Sequence, residues 1–145
     1  MKIAIGVDHA GFGLKAKITQ FLESFGHEVI DCGADTEKPS DYPDVSHKVA
    51  ALVSSKKVDR GVLICGSGIG MSMAANRHLN VRSFVCYDGG ISKLARLHNN
   101  ANVICFGSRA MGLDVMMDCL KTFLTTEFEG GRHERRVCKI ERGQE

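Results

Sequence analysis

The chain has 145 residues, of which 43% are hydrophobic and 25% charged, and its formal net charge is +2. These are the proportions of an ordinary globular domain that is large enough to bury a core. So small a net charge predicts no general affinity for nucleic acid or for an anionic membrane surface. We therefore expect one domain over residues 1–145, with neither nucleic acid nor membrane as a partner.

The first residues enter a strand-like run directly, and no basic segment precedes a long apolar one, so no signal peptide is expected. None of the six cysteines belongs to a CxxC pair, and several fall in apolar runs, where a free thiol behaves as a small hydrophobic group. A disulfide framework is not expected here, and we predict a reducing, cytoplasmic setting.

Five short runs rich in Val and Ile predict strands, at 2–8, 27–33, 60–66, 81–88 and 101–107. Helical patterns lie between and after them, at 14–25, 45–56, 69–76, 91–98 and 113–128. This alternation predicts an α/β fold: one three-layer, Rossmann-like domain whose five-stranded parallel sheet carries helices on both faces. The strand order stays open. Residues 129–145 follow a Gly-Gly break and are dense in charge, which predicts an extension that packs on another surface, such as a partner chain.

In an open parallel sheet, ligands bind beyond the carboxyl ends of the strands. The residues at those ends are Asp8-His9, Cys65 to Gly70, Tyr87-Asp88 and Gly107 to Arg109. The position of His9 beside Asp8 at a strand end favours a functional role over a structural one.

The loop Gly66-Ser67-Gly68-Ile69-Gly70 can direct several backbone N–H groups toward one point, and the following helix adds its positive N-terminus. An anion site is therefore expected. A Walker loop would need Lys-Ser/Thr where Met71-Ser72 stands, and a dinucleotide fingerprint would need GxGxxG after the first strand. Asp88 could imitate the ribose-binding acid of that fingerprint, so a nucleotide-binding module stays open as the weaker alternative. A cysteine phosphatase would need an arginine at the position of Met71.

Cys65 stands at the mouth of this loop, where N–H donors and a helix end favour a thiolate. Such a thiolate could remove a proton from carbon, and the N–H groups could hold the resulting oxyanion. An inert, buried strand-end cysteine is the alternative, but the position at the carboxyl end of the strand favours function.

Six motifs in order along the chain resemble the ribose-5-phosphate isomerase B family, which belongs with the galactose-6-phosphate isomerases. They are GVDHAGFGLK (6–15), DYPD (41–44), ICGSGIGMSMAAN (64–76), RLHNNANV (96–103), FGSRAMG (106–112) and EGGRHERRV (129–137). The resemblance implies a metal-free aldose–ketose isomerase of pentose phosphate metabolism, with no cofactor, that interconverts ribose 5-phosphate and ribulose 5-phosphate. Galactose or allose 6-phosphate stays open as the substrate.

The resemblance also implies the roles of the site residues. Cys65 would be the base that moves a proton between C1 and C2 through a cis-enediolate, which the backbone of Gly66, Ser67, Gly68, Ile69 and Gly70 would hold. His98 would assist opening of the furanose ring and Asn99 would bind the sugar. The remaining ligand-binding positions are Asp8, His9, Arg109, Arg132, His133 and Arg136. Some relatives instead use a glutamate at the position of Met71, so this chain resembles the cysteine-type branch.

His98 lies at the end of the helix that follows the fourth strand, and about ten helical residues span about 15 Å. It should therefore lie far from Cys65 of its own chain, and a shared site would need a second subunit. We predict a homodimer with shared active sites; a dimer of dimers stays open, as does the subunit that supplies Arg109, Arg132 and Arg136. Arg132 and Arg136 are four residues apart, so one helical face could present both to a phosphate.

Overall fold

The computed structural model describes residues 1–141; residues 142–145 of the predicted extension lie outside the described residues. Within this range the strands are β1 (Lys2–Val7), β2 (Glu28–Asp31), β3 (Arg60–Cys65), β4 (Ser83–Val85) and β5 (Val103–Gly107). The helices are α1 (Phe12–Ser24), α2 (Tyr42–Ser54), α3 (Ile69–Ala75), α4 (Gly89–Asn99), α5 (Leu113–Thr125) and α6 (Glu134–Glu141). A 3-10 turn, Gly131–His133, leads into α6.

All five strands are parallel and lie in the order β2-β1-β3-β5-β4. Strand β3 is central, with Val62 paired to Ile5 on one side and to Ile104 on the other. Its six residues are all buried, as expected for a strand that is covered on both faces. The carboxyl end of β3, at Cys65, therefore lies in the middle of the sheet edge where ligands are expected.

Alternate residues of the strands pack into two separate cores. On one face, Ile3, Ile5 and Val7 pack with α1 and α5. On the other, Ala4, Leu63 and Cys65 pack with α2 and α3. The period of two along each strand produces the two faces, and the predicted three-layer α/β fold is confirmed.

The fourth strand is shorter than predicted, although backbone bonds to the β5 segment continue on both sides of it. Asn102 N donates to Arg82 O over 3.1 Å before the strand, and Cys86 N donates to Cys105 O over 2.9 Å after it. Helix α2 begins earlier than predicted, at Tyr42, since Pro43 is accommodated in its first turn.

The charged extension folds back on its own chain. Helix α6 lies against α4, and Glu141 at its end forms an ion pair with Arg82 (3.1 Å) and accepts a hydrogen bond from Asn80 N (2.9 Å). No helix among residues 1–141 is both long and apolar enough to cross a bilayer.

Candidate active site

The glycine loop joins β3 to α3 and is closely backed by the end of β5. Gly68 has a φ of +80°, a conformation that side chains disfavour, and a Cβ there would lie 3.0 Å from the Phe106 backbone. A Cβ on Gly107 would lie 2.8 Å from the backbone of Ser67. Both glycines are therefore required by the close approach of two backbone segments.

Cys65 ends β3 with its side chain directed into this loop. The Gly68 N–H donates to Cys65 Sγ over 3.1 Å, and the residue is only 4% exposed. The sulfur therefore accepts a hydrogen bond from the loop. Burial raises the pKa of the Cys86 and Cys105 thiols to about 12, which keeps them protonated.

A cavity of about 670 Å³ opens beside the loop. It is lined by Asp8, Tyr42, Cys65, Gly66, Ser67, Ile69, Gly70, Met73, Tyr87, Arg109 and Ala110. The structure thus brings together most of the residues selected at the ends of β1, β3 and β5. Of the six cysteines, Cys65 is the one that lines this cavity.

Tyr87, which the sequence placed at a strand end without assigning it a role, also lines the cavity, as do Met73 and Ala110, which the sequence did not indicate. Tyr87 directly follows β4, and its position at a carboxyl strand end was the available signal. Tyr42, which also lines the cavity, lies against Gly70, where a Cβ would come within 2.5 Å of its ring.

Asp8 lies at the floor of the cavity and closes the turn into α1. Its Oδ1 accepts hydrogen bonds from Ala10 N (2.9 Å) and Gly11 N (3.1 Å). The neighbouring His9 bonds to Ser40 through both its backbone N (3.2 Å) and its Nδ1, which accepts from Ser40 N at 3.3 Å. His9 is therefore held against the long loop before α2, and its Nδ1 is occupied as an acceptor.

Arg109 supplies the positive charge at the cavity rim. Its backbone N donates to Gly66 O over 3.1 Å, and its guanidinium passes so close to Gly66 that a Cβ there would lie 3.4 Å from Nη1. Arg109 and Cys65 of the same chain thus line one cavity. Met71, in contrast, is fully buried in the core beside α2 and does not line the cavity.

Residues His98 and Asn99 lie at the opposite end of α4 from this cavity. The helix begins at Gly89, two residues after Tyr87, and its eleven residues extend about 16 Å. Asn99 lines a different cavity, of about 300 Å³, together with Phe84 and Ile140. The structure does not bring either residue to Cys65 of the same chain.

His98 belongs instead to a second cluster, formed with the turn before α6. The rings of His98 and His133 stack with centroids 4.2 Å apart and planes 11° from parallel. Nε2 of each ring lies 3.7 Å from Glu129 Oε2. Arg132 Nε donates to His133 Nε2 over 3.3 Å, while Arg132 itself is exposed.

The environment of His133 is shielded and positively charged. Burial lowers the pKa of His133, His98, Arg132 and Arg136 lower it further, and Glu129 opposes them. Both arginines therefore act on the same imidazole. Glu129 was not selected from the sequence, although it begins the EGGRHERRV motif four residues before His133.

The ligand atoms of His98, Glu129 and His133 lie within 4.8 Å of one another, as they would around a metal ion. However, a nitrogen lone pair lies in the plane of its imidazole ring, and two nearly parallel, stacked rings cannot direct both lone pairs at one ion. His133 Nε2 also already accepts the Arg132 N–H. This cluster does not fit a metal in the observed arrangement.

Comparison with known proteins identifies the family. The model of the family described as Ribose/Galactose Isomerase matches residues 3–140. Ribose-5-phosphate isomerase B of Escherichia coli K12 is 44% identical over 136 residues, which cover 94% of this chain and 91% of that protein. D-erythrulose-4-phosphate isomerase of Pectobacterium atrosepticum is 39% identical over 141 residues, covering 97% and 93%.

A solved structure agrees with the sequence relatives. Ribose-5-phosphate isomerase B of Clostridium thermocellum superposes with a TM-score of 0.97 at 46% identity, covering 99% of this chain and 97% of that one. The resemblance noted in the motifs is thereby confirmed. The chain belongs to the ribose/galactose isomerase family and is an isomerase.

Proposed function

We propose that this chain interconverts ribose 5-phosphate and ribulose 5-phosphate without a metal ion or cofactor, and that Cys65 moves the proton. The observation that carries the proposal is the Cys65 sulfur itself, which lines the cavity and receives the Gly68 N–H at 3.1 Å. The names of the relatives support the substrate, since the similar proteins from E. coli and C. thermocellum are ribose-5-phosphate isomerases B.

In the proposed reaction, the Cys65 thiolate removes the proton from C2 of the open-chain aldose. The electron pair of that C–H bond forms the C1–C2 double bond, and O1 becomes an oxyanion, which gives a cis-enediolate. The thiol then returns the proton to C1, and the carbonyl forms at C2 as the proton on O2 passes to O1. A base within reach of two adjacent carbons is the main requirement.

The glycine loop would stabilise the enediolate. The N–H groups of the first turn of α3 lack acceptors within that helix, and the loop Gly66–Gly70 faces the same cavity as Cys65. One donor to a developing oxyanion is worth about 3 kcal/mol of activation free energy. Several converging donors could therefore replace a Lewis acid.

The two clusters would form one site across a homodimer. His98, Asn99, Arg132, His133 and Arg136 lie away from the Cys65 cavity of their own chain, so a second chain would have to supply them. Exposed apolar side chains support the contact: Ile69, Met73 and Tyr87 at the cavity rim are 45%, 60% and 49% exposed, and Ile91 and Leu94 lie on α4. A dimer of dimers would be compatible with the same site.

In this shared site, His98 would open the furanose ring, Asn99 would bind a sugar hydroxyl, and the arginines and His9 would hold the phosphate. Arg132 and Arg136 both act on His133, which supports a convergent pair. Arg109 would come from the chain that carries Cys65, because both line one cavity. Fixing the phosphate also orients the reacting carbons.

The remaining parts of the proposal concern context. We propose a single domain over residues 1–145, supported by the one sheet that runs through the described chain. A reducing, cytoplasmic setting and a role in pentose phosphate metabolism are proposed as well. The buried thiols of Cys86, Cys105 and Cys119, which pack as small hydrophobic groups in the core, support the reducing setting.

An isomerase assay with EDTA tests the substrate and the independence from metal. Ribose 5-phosphate, allose 6-phosphate and galactose 6-phosphate are compared at equal concentrations, with and without the chelator. We expect the highest kcat/KM for the five-carbon sugar and no effect of EDTA. Faster turnover of a six-carbon sugar, or loss of activity with EDTA that zinc or magnesium restores, would contradict the proposal. D-erythrose 4-phosphate is included because one relative is named for a four-carbon sugar.

A further inference from the structure

Glu129 lies outside the Cys65 cavity, yet its carboxylate reaches both histidines of the second cluster. We propose that Glu129 is a positioning residue for His98: its carboxylate accepts the Nε2–H of that imidazole, so that Nδ1 is presented to the sugar ring as a base. The inference rests on the proposed ring-opening role of His98 and deepens it.

The backbone holds Glu129 in place relative to His98. Glu129 N donates to Leu97 O over 3.1 Å, which ties it to the residue just before His98. Three residues earlier, Thr126 O accepts a hydrogen bond from Arg96 Nε over 3.1 Å. The segment 126–129 is thus fastened twice to the last turn of α4.

The carboxylate lies equally far from two imidazoles, but only one of them has an Nε2–H to donate. His133 Nε2 accepts the Arg132 N–H, so its own proton must be on Nδ1. Glu129 Oε2 is therefore left to accept from His98 Nε2, at 3.7 Å in the free chain. Such contacts commonly shorten when a substrate binds.

Besides the contact with Glu129, stacking on His133 restricts the orientation of the His98 ring. Its ring lies nearly parallel to that of His133, which is only 6% exposed and belongs to the 3-10 turn before α6. Burial also lowers the pKa of His133, which disfavours a positive charge on the ring against which His98 packs. The groups that face the pair are Glu129, Arg132 and Arg136.

With Nε2 bound to the carboxylate, Nδ1 of His98 carries the free lone pair. In ring opening, Nδ1 would take the proton from O1 while the O1–H electron pair forms the carbonyl at C1. The C1–O4 bond breaks, its electron pair goes to O4, and the imidazolium returns the proton there. No other reactant is needed, and the histidine ends in its starting form.

The test compares a sugar that must be opened with one that cannot close. Ribose 5-phosphate is mainly a furanose, whereas 4-deoxyribose 5-phosphate lacks the O4 that closes the ring. We measure kcat/KM for both with Glu129→Gln, Glu129→Ala, His98→Asn and the double variant His98→Asn/Glu129→Gln. Glu134→Gln is the matched control, since Glu134 is exposed and forms no ion pair within residues 1–141.

We expect both Glu129 variants to lose about tenfold or more on ribose 5-phosphate and little on the deoxy sugar, as a base-positioning role requires. The double variant should lose no more than His98→Asn, because the two residues would act as one unit. Glu134→Gln should behave as the parent. Unchanged Glu129 variants beside a selectively impaired His98→Asn would overturn the positioning role and leave the proposed function intact.

The 15N chemical shifts of the His98 imidazole test, independently of turnover, whether Glu129 sets the tautomer of His98. The parent should show the Nε2–H tautomer, and Glu129→Gln, whose amide can either accept or donate, should show a mixture. Identical tautomer populations in the two proteins would overturn the positioning role of Glu129. This result does not depend on the ring-opening role of His98, which the comparison of the two sugars with His98→Asn tests separately. Unchanged melting temperatures establish that the variants are folded.

Discussion

The Gly68 N–H donates to Cys65 Sγ over 3.1 Å, so the left-handed glycine of the loop and the thiol at the end of β3 form one unit. The conformation of the loop and the chemical environment of the sulfur are therefore coupled. A change at either residue should affect turnover, but only the change at the glycine should greatly affect folding.

Cys65→Ala should fold and lose most turnover, by about 10³-fold if the thiol is the general base. The lost atom is a single sulfur at a position that is 4% exposed, so the melting temperature should change little. Initial rates with ribose 5-phosphate and a thermal unfolding curve measure both. Cys32→Ala is the control, because Cys32 is outside the cavity; full activity in Cys65→Ala would refute the thiol base.

Gly68→Ala should both destabilise the fold and reduce turnover. The positive φ and the Phe106 backbone at 3.0 Å from a new Cβ together cost about 1–3 kcal/mol of unfolding free energy. Urea unfolding measures this loss and kcat measures the second effect.

Gly13→Ala provides the comparison for the Gly68 variant. Gly13 lies near the start of α1 with nothing within 4 Å of a new Cβ, so alanine there should raise the unfolding free energy by about 0.5–1 kcal/mol and leave kcat unchanged. Equal changes in unfolding free energy in the two variants would contradict the conclusion that the loop requires glycine at position 68.

Mixing two inactive variants tests the shared site. In a heterodimer of Cys65→Ala with His98→Asn, one of the two sites would contain both native residues, so an equal mixture should regain about a quarter of the parent activity on ribose 5-phosphate. Light scattering should give a mass of twice 15.8 kDa for a dimer, or four times that mass for a dimer of dimers. If mixing restores nothing while subunits demonstrably exchange, His98 acts within its own chain or not at all.

The exposed His47 and the half-buried His78 form a pair that should make stability depend on pH. His47 Nδ1 lies 2.8 Å from His78 Nε2. Burial lowers the pKa of His78 below 6.5, and the positive charge of a protonated His47 lowers it further. Below pH 6.5 the unfolded chain then binds more protons than the folded one, so stability falls as pH decreases toward the folded-state pKa.

His78→Gln should therefore reduce the difference between the urea midpoints at pH 7.5 and pH 5.5. His47→Gln should reduce it as well, since it removes the neighbour that disfavours protonation of His78. A midpoint difference that stays as large as in the parent for both variants would show that this pair does not titrate differently on folding.

The sequence was sufficient for the fold class and for one half of the site, because both depend on short-range patterns. The alternation of strands and helices predicted the layers, and the rule of strand ends predicted that Asp8, Cys65 and Arg109 converge. Tyr87 follows the same rule, but the sequence assigned it no role, since a tyrosine carries no chemical signature at that position.

The other half of the site could not be predicted from local patterns. The stack of His98 on His133 depends on where the extension folds back, which long-range contacts of Glu129 and Glu141 decide. The strand order is likewise a long-range property, because it depends on which strands pair across the sheet.

Helix α4 begins beside the Cys65 cavity and ends at the histidine stack, so in the proposed dimer it acts as a spacer between the two catalytic centres. Its length would fix how far apart those centres lie, and its helical phase would fix which way His98 points. One inserted residue would turn His98 by about 100° about the helix axis. The helix should therefore accept substitution of an exposed polar residue such as Lys93 more readily than any change in its length.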